Sequence, residues 1–221
     1  MRVTAETKAA TRQRILDSAQ QLFAAQGFEA TTTRDIAQAA EIAVGTLFNY
    51  FPTKEGIVEC LVGEATTAAH VEFARKKNTA ASQDASAEAE SLEEVLFAFV
   101  AAGLRKLKPL RKYLVPLLES TLCPLASVRG GDESESLRIT HLEHVRQLVN
   151  ARGLADLFSP VAMNLYWTLY TGVLAFWAND KSPKQEDTLA LLDQSLHMFV
   201  GWLEAQHDDV KRPSRNNSRT R

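Results

Sequence analysis

The stretch from Thr31 to Ile57, TTTRDIAQAAEIAVGTLFNYFPTKEGI, decides the fold. Ile36, Ala37 and Ala40 fall at helical spacing and predict a short helix. Thr32 precedes it as an N-cap, and Asp35 stands three residues on, in the acidic position of a capping box. Glu41 and Ile42 read as a tight turn into another helix, from about Ala43 to Tyr50. Pro52 stops that helix, and Thr53 caps a long one that begins at Lys54. Two short helices separated by a turn of a few residues fit a helix-turn-helix, in which the second helix lies in the DNA major groove.

Outward from this stretch, helix signals dominate and strand signals are nearly absent. Ile15, Ala19, Leu22 and Phe23 share one face of a first helix, from about Lys8 to Gln26, and Gly27 follows where helices often end. Beyond the helix that begins at Lys54 and runs to about Lys77, residues 78–90 are small and polar without an apolar period and read as a loop. Further helices are predicted at about 91–107, 109–122, 134–151, 160–179 and 185–206. Gly130–Gly131 and the segment Lys181-Ser182-Pro183 interrupt them. The expectation is therefore an all-α chain of about nine helices. Residues 1–53 form a three-helix DNA-binding domain, residues 54–206 a helical effector-binding and dimerisation domain, and residues 207–221 a basic, disordered tail.

Composition agrees with a folded chain: of 221 residues, 45% are apolar, ample for a core, and 24% are charged. The net charge of −2 hides an uneven distribution. Arg2, Lys8, Arg12 and Arg14 face only Glu6 among residues 1–14, and residues 208–221 are also basic, which leaves the middle acidic. The four N-terminal cations are placed either to reach phosphate and the minor groove or simply to be solvated. Met1 to Arg14 is polar throughout, with no apolar signal core. Val161 to Ala178 carries no charge, yet it is short for a bilayer and holds Asn164, Thr168, Thr171 and Gly172, so a buried helix explains it better than a membrane span. A cytoplasmic protein is expected.

The residue types of the helix-turn-helix suit DNA. Its second helix offers Val44, Thr46, Asn49 and Tyr50, short or hydrogen-bonding side chains; Asn pairs with adenine, and Thr or Val touches a thymine methyl. Gly45 lets the backbone approach phosphate. Thr33 and Arg34 at the start of one helix, and Lys54 at the start of the next, are placed for phosphate contacts, which position the protein without reading sequence.

The stretch resembles the signature of tetracycline-repressor-like (TetR family) regulators. The matching positions are Thr33, Ile36-Ala37, Ala40-Glu41-Ile42-Ala43, Gly45-Thr46-Leu47-Phe48, Tyr50-Phe51 and Thr53-Lys54-Glu55, with Gly27-Phe28 ahead of them. The match covers about the first 60 residues. It implies an Ω-shaped homodimer with nine or so helices per subunit, a ligand cavity in the C-terminal domain, and repression relieved by a small-molecule effector. By the same resemblance Thr33, Arg34, Val44, Thr46, Phe48, Tyr50 and Lys54 match DNA contacts. Three positions depart from the pattern. Glu41 replaces a Gly at a turn that favours positive φ. Ala43 replaces a Ser N-cap. Phe48 replaces a Tyr and lacks its hydroxyl.

In the last predicted helix, Leu189, Leu192, Leu196, Phe199 and Leu203 form one apolar face and Leu191, Met198 and Trp202 another. A second face asks for a partner, and a second copy of the chain is the natural one; such a dimer reads a palindromic double-stranded site. Phe97, Tyr113, Trp167 and Tyr170 are the expected effector-lining residues, since aromatic rings with polar handles suit mixed ligands, although core packing is the commoner use of such rings. His141 and His144 sit three apart, but no Cys or carboxylate stands beside them at zinc-like spacing, so no metal is expected. Cys60 and Cys123 make no disulfide framework and read as small buried hydrophobes. No nucleophile–base arrangement, paired-carboxylate spacing or phosphate loop points to an enzyme, and no cofactor is expected.

Overall fold

The structure is a computed structural model that describes residues 4–83, 90–114 and 132–211. Among them are eight α-helices and three short 3₁₀ turns, with no strand. The helices are α1 (Ala5–Gln26), α2 (Thr33–Ala39), α3 (Val44–Tyr50), α4 (Lys54–Gln83), α5 (Leu92–Leu107), α6 (Asp132–Asn150), α7 (Pro160–Asn179) and α8 (Glu186–Lys211). The all-α expectation holds, at one α-helix fewer among the described residues. The helix predicted over 109–122 lies mostly outside them, and its described start is a 3₁₀ segment, Lys108–Tyr113. Pro109 disfavours α geometry at Lys108, so α5 ends at Leu107. Residues three apart then align, which buries Leu107, Leu110 and Tyr113 along one edge.

Two boundaries differ from the periodicity reading. Helix α4 continues to Gln83, through residues 78–83 that read as a loop. Alanine-rich sequence needs no apolar stripe to remain helical. Helix α8 continues to Lys211, into the segment read as a tail, and the remainder of that tail lies outside the described residues, as do Gly130–Gly131 and Cys123.

The described residues divide into two compact units, one within 1–72 and 103–137, the other within 73–102 and 138–221. In the first, α1 packs on α2 and α2 on α3, around Ile15, Leu16, Phe23, Ile36, Leu47, Phe51 and Ile57, all at most 2% exposed. Gly27 closes α1 with φ 89° and ψ 163°, a conformation open essentially to glycine alone. In the second unit α7 and α8 pack together, burying Ala162, Tyr166, Trp177, Leu192, Leu196, Phe199 and Leu203. Leu189, expected on that buried face, stays exposed at its start. The corner between α7 and α8 is organised by buried Asp180. Its carboxylate accepts from Ser182 N–H at 2.7 Å, Thr188 N–H at 3.1 Å and the Thr188 hydroxyl at 2.5 Å. No helix among the described residues is long and apolar enough to cross a membrane.

Candidate nucleic-acid interface

Helix α2 begins with the capping box that its sequence predicts. Asp35 N–H donates to Thr32 Oγ1 at 3.1 Å, and Thr32 N–H donates to Asp35 Oδ2 at 2.9 Å. The Thr32 N–H foremost, and then the Thr32 hydroxyl, which donates to Asp35 Oδ2 at 2.7 Å, hold the Asp35 carboxyl below the usual carboxylate range. Thr33 and Arg34 follow in the first turn, half-buried and exposed respectively.

A Schellman turn joins α2 to α3: Glu41 N–H donates to the Gln38 carbonyl at 3.1 Å and Ile42 N–H to the Ala37 carbonyl at 2.9 Å. That motif needs a left-handed residue, and Glu41 supplies it with φ 53°. Ala43, the N-cap of α3, makes no side-chain cap. The short helix is anchored by fully buried Leu47 and by Phe51 just past its end. The opposite side presents Gly45, Phe48 and Asn49 to solvent, flanked by half-buried Val44, Thr46 and Tyr50. Phe48 is 45% exposed, a large apolar ring held out on a helix that has few other outward bulky groups.

Lys54 has partners that its sequence position does not disclose. Its Nζ donates to the Phe28 carbonyl at 2.7 Å and the Thr31 carbonyl at 3.1 Å, and lies 4.0 Å from the centre of the Phe28 ring. An ammonium has three donors, so two of those in the residue expected at a phosphate tie the start of α4 to the α1–α2 loop. The Thr31 hydroxyl donates to the Gly27 carbonyl at 2.7 Å and fixes the same loop. Arg12 likewise turns inward: its guanidinium contacts the sulfur of buried Cys60, lies 3.5 Å from Glu64 and sits over the Phe51 ring at 5.4 Å.

The four expected effector-lining residues do not share one cluster. Tyr113 belongs to the first unit, where its ring lies 5.4 Å from Phe23 and 6.5 Å from Phe28. Phe97 is half-buried on α5. Trp167 and Tyr170 on α7 do come together, 5.5 Å apart, beside His141 of α6, which stacks on the Tyr170 ring and meets Trp167 edge-on. His141 lies 4.1 Å from Tyr170 and 5.9 Å from Trp167, and its Nε2 is 3.1 Å from the Tyr166 hydroxyl. Burial pushes both tyrosine hydroxyls up in pKa. Arg138 caps the group, its guanidinium 5.7 Å from the Trp167 ring, and donates to Asn164 at 2.6 Å. His144 turns away, with Nδ1 donating to the Thr140 carbonyl at 2.8 Å. The sequence singles out His141 only as a candidate metal ligand, because its aromatic partners lie on two other helices, Phe99 on α5 and Tyr166, Trp167 and Tyr170 on α7. Among the described residues no three His, Cys, Asp or Glu side chains converge as a metal site.

A three-helix head with a Schellman-turned pair and an outward-facing short helix defines a helix-turn-helix protein. Residues 15–61 match the family model described as bacterial regulatory proteins, tetR family. The likeness to that family covers this N-terminal domain. It is 44% identical over 54 residues to the uncharacterized HTH-type transcriptional regulator YvkB of Bacillus subtilis, and 48% identical over 52 residues to the HTH-type transcriptional repressor KstR2 of Rhodococcus jostii. Each alignment covers 24% of this chain, and they span 29% and 26% of those relatives' own length. The fold is similar over a much longer span. Thermus thermophilus FadR, a TetR family repressor solved with lauroyl-CoA, superposes with a TM-score of 0.65 at 20% identity, covering 86% of this chain and 93% of that one. A TetR regulator from Rhodococcus sp. RHA1 gives a TM-score of 0.62 at 19% identity over 87% and 97%.

Proposed function

We propose that this protein is a transcriptional repressor that binds a palindromic operator as a homodimer and is released by a small-molecule effector. The observation that carries the reading is the outward side of α3, where Gly45, Phe48 and Asn49 stand exposed while Leu47 anchors the helix beneath. Val44, Thr46, Asn49 and Tyr50 read base edges, and Gly45 admits close backbone approach. Thr33 and Arg34 meet the phosphate backbone, exposed Phe48 offers DNA an apolar contact such as a thymine methyl, and the remaining Nζ donor of Lys54 is available to a phosphate. Residues 1–53 supply this reading head, and residues 54–206 supply dimerisation and effector binding. Exposed Val161 and Phe176 on α7 and Leu189, Leu191 and Met198 on α8 support a helical dimer surface. Trp167 and Tyr170, gathered around His141, support an effector contact there; Phe97 and Tyr113 are proposed on their residue type alone. The reading is of a cytoplasmic regulator without catalytic turnover or cofactor.

The test is selection of tight binders from random duplex DNA with the purified protein. Enrichment of one palindromic sequence is expected. Salt-sensitive binding to every sequence alike would remove the operator from the proposal.

A further inference from the structure

Within a chain of net charge −2, the eight residues from Arg105 to Lys112 hold Arg105, Lys106, Lys108, Arg111 and Lys112 and no acid. The fold makes this run amphipathic. Leu104, Leu107, Leu110 and Tyr113 are buried, whereas Arg105, Lys106, Lys108 and Lys112 are exposed and Arg111 is half-buried. The run belongs to the same compact unit as the helix-turn-helix. Tyr113 seats it against Phe23 and Phe28, and Lys112 lines one surface depression together with Gln26, Gly27, Phe28, Glu29 and Ala30. That loop delivers the start of α2. Three residue steps lead from Ala30 to Thr33, at most about 11 Å of extended chain. Duplex DNA carries a phosphate about every 3.4 Å of axis on each strand, so such a span covers about three phosphates.

We propose that this basic strip is a second DNA-contacting surface, which binds backbone phosphates flanking the bases read by α3. The inference rests on the DNA-binding reading above. Two acids lie at the strip and set which cations serve it. Glu72 takes Lys106 at 2.8 Å, and Glu29 lines the Lys112 depression. Lys112, which lines the depression at the loop, and exposed Lys108, earlier in the same 3₁₀ segment, are the cations assigned to DNA. Lysine ammonium groups on phosphate carry no sequence information, so the strip adds affinity and salt dependence while selectivity stays with α3.

The experiment measures binding to the selected duplex over a range of salt concentrations, once with long flanks and once trimmed to the selected sequence. On the long duplex, K108Q/K112Q is expected to lower the slope of log K against log salt by about 2, roughly 0.9 per lost contact. K108R/K112R keeps the charge and is expected to keep the wild-type slope. Trimming the flanks is expected to abolish the difference. Equal slopes for wild type and K108Q/K112Q on the long duplex overturn the strip and leave the reading head intact, and a difference that persists undiminished on the trimmed duplex overturns the flanking assignment. A wild-type protein that shows no preference for any duplex overturns the DNA-binding reading and the strip with it.

Discussion

Glu41 holds φ 53° at the corner between α2 and α3, and the two hydrogen bonds that close the turn depend on that angle. A side chain there crowds its own backbone, at a cost of about 1–2 kcal/mol that glycine avoids, partly offset by the greater freedom glycine gives the unfolded chain. Glu41→Gly is therefore expected to raise stability by about 1 kcal/mol in denaturant titration; an unchanged or lower midpoint would show that the angle carries no strain. Tyr50 stands half-buried at the end of α3. Tyr50→Ala is expected to weaken operator binding by roughly tenfold or more, the scale of one lost base-reading contact, with the dimer intact. Operator affinity equal to wild type would mean that α3 does not enter the groove. At this scale the sequence is legible where the interaction is local. Thr32 and Asp35 lie three apart and announce their capping box. Lys54 bonds backbone carbonyls 23 and 26 residues upstream, and a carbonyl has no signature in the sequence.

Among the elements, periodicity located the short helices of the reading head and the end of α7, because Gly27, Pro52 and the segment 181–183 punctuate them. It failed at 78–83, where helix persists without an apolar face, and at 108–113, where a proline converts the expected helical turn to 3₁₀ geometry. The α7–α8 corner gives a prediction of its own. The Thr188 hydroxyl, followed by the bonds from Ser182, holds the Asp180 carboxyl far below its ordinary range despite burial. A group with a depressed folded pKa stabilises fully above its unfolded value of about 3.9 and loses that contribution as pH falls toward the folded value. Thermal midpoints of the wild type are expected to fall as pH drops below about 4, and Asp180→Asn is expected to flatten part of that fall. Parallel acid limbs in the two proteins would assign the acid sensitivity to other carboxylates.

For the whole molecule, the second apolar face of the last helix was legible, since Leu191 and Met198 stand apart from the buried row of Leu192, Leu196, Phe199 and Leu203, and both are exposed. Charging that face with Leu191→Glu and Met198→Glu is expected to yield a folded monomer with greatly weakened operator binding, read by sedimentation velocity and circular dichroism. A dimer that survives both changes would move the interface elsewhere. Less legible was the grouping of distant aromatics: Tyr113 and Trp167 look alike in the sequence, yet they join different units because their neighbours come from different helices.

That separation governs how hybrid regulators are built from this chain. Grafting residues 1–53 onto a foreign body leaves Phe23 and Phe28 without the Tyr113 ring that covers them, since Tyr113 lies 63 residues beyond Tyr50, the end of α3. Hybrids that also keep donor residues 103–114 are expected to melt at higher temperature than those joined after 53. The portable module is thus a reading head plus a distant sequence insert, and a single splice cannot transplant both.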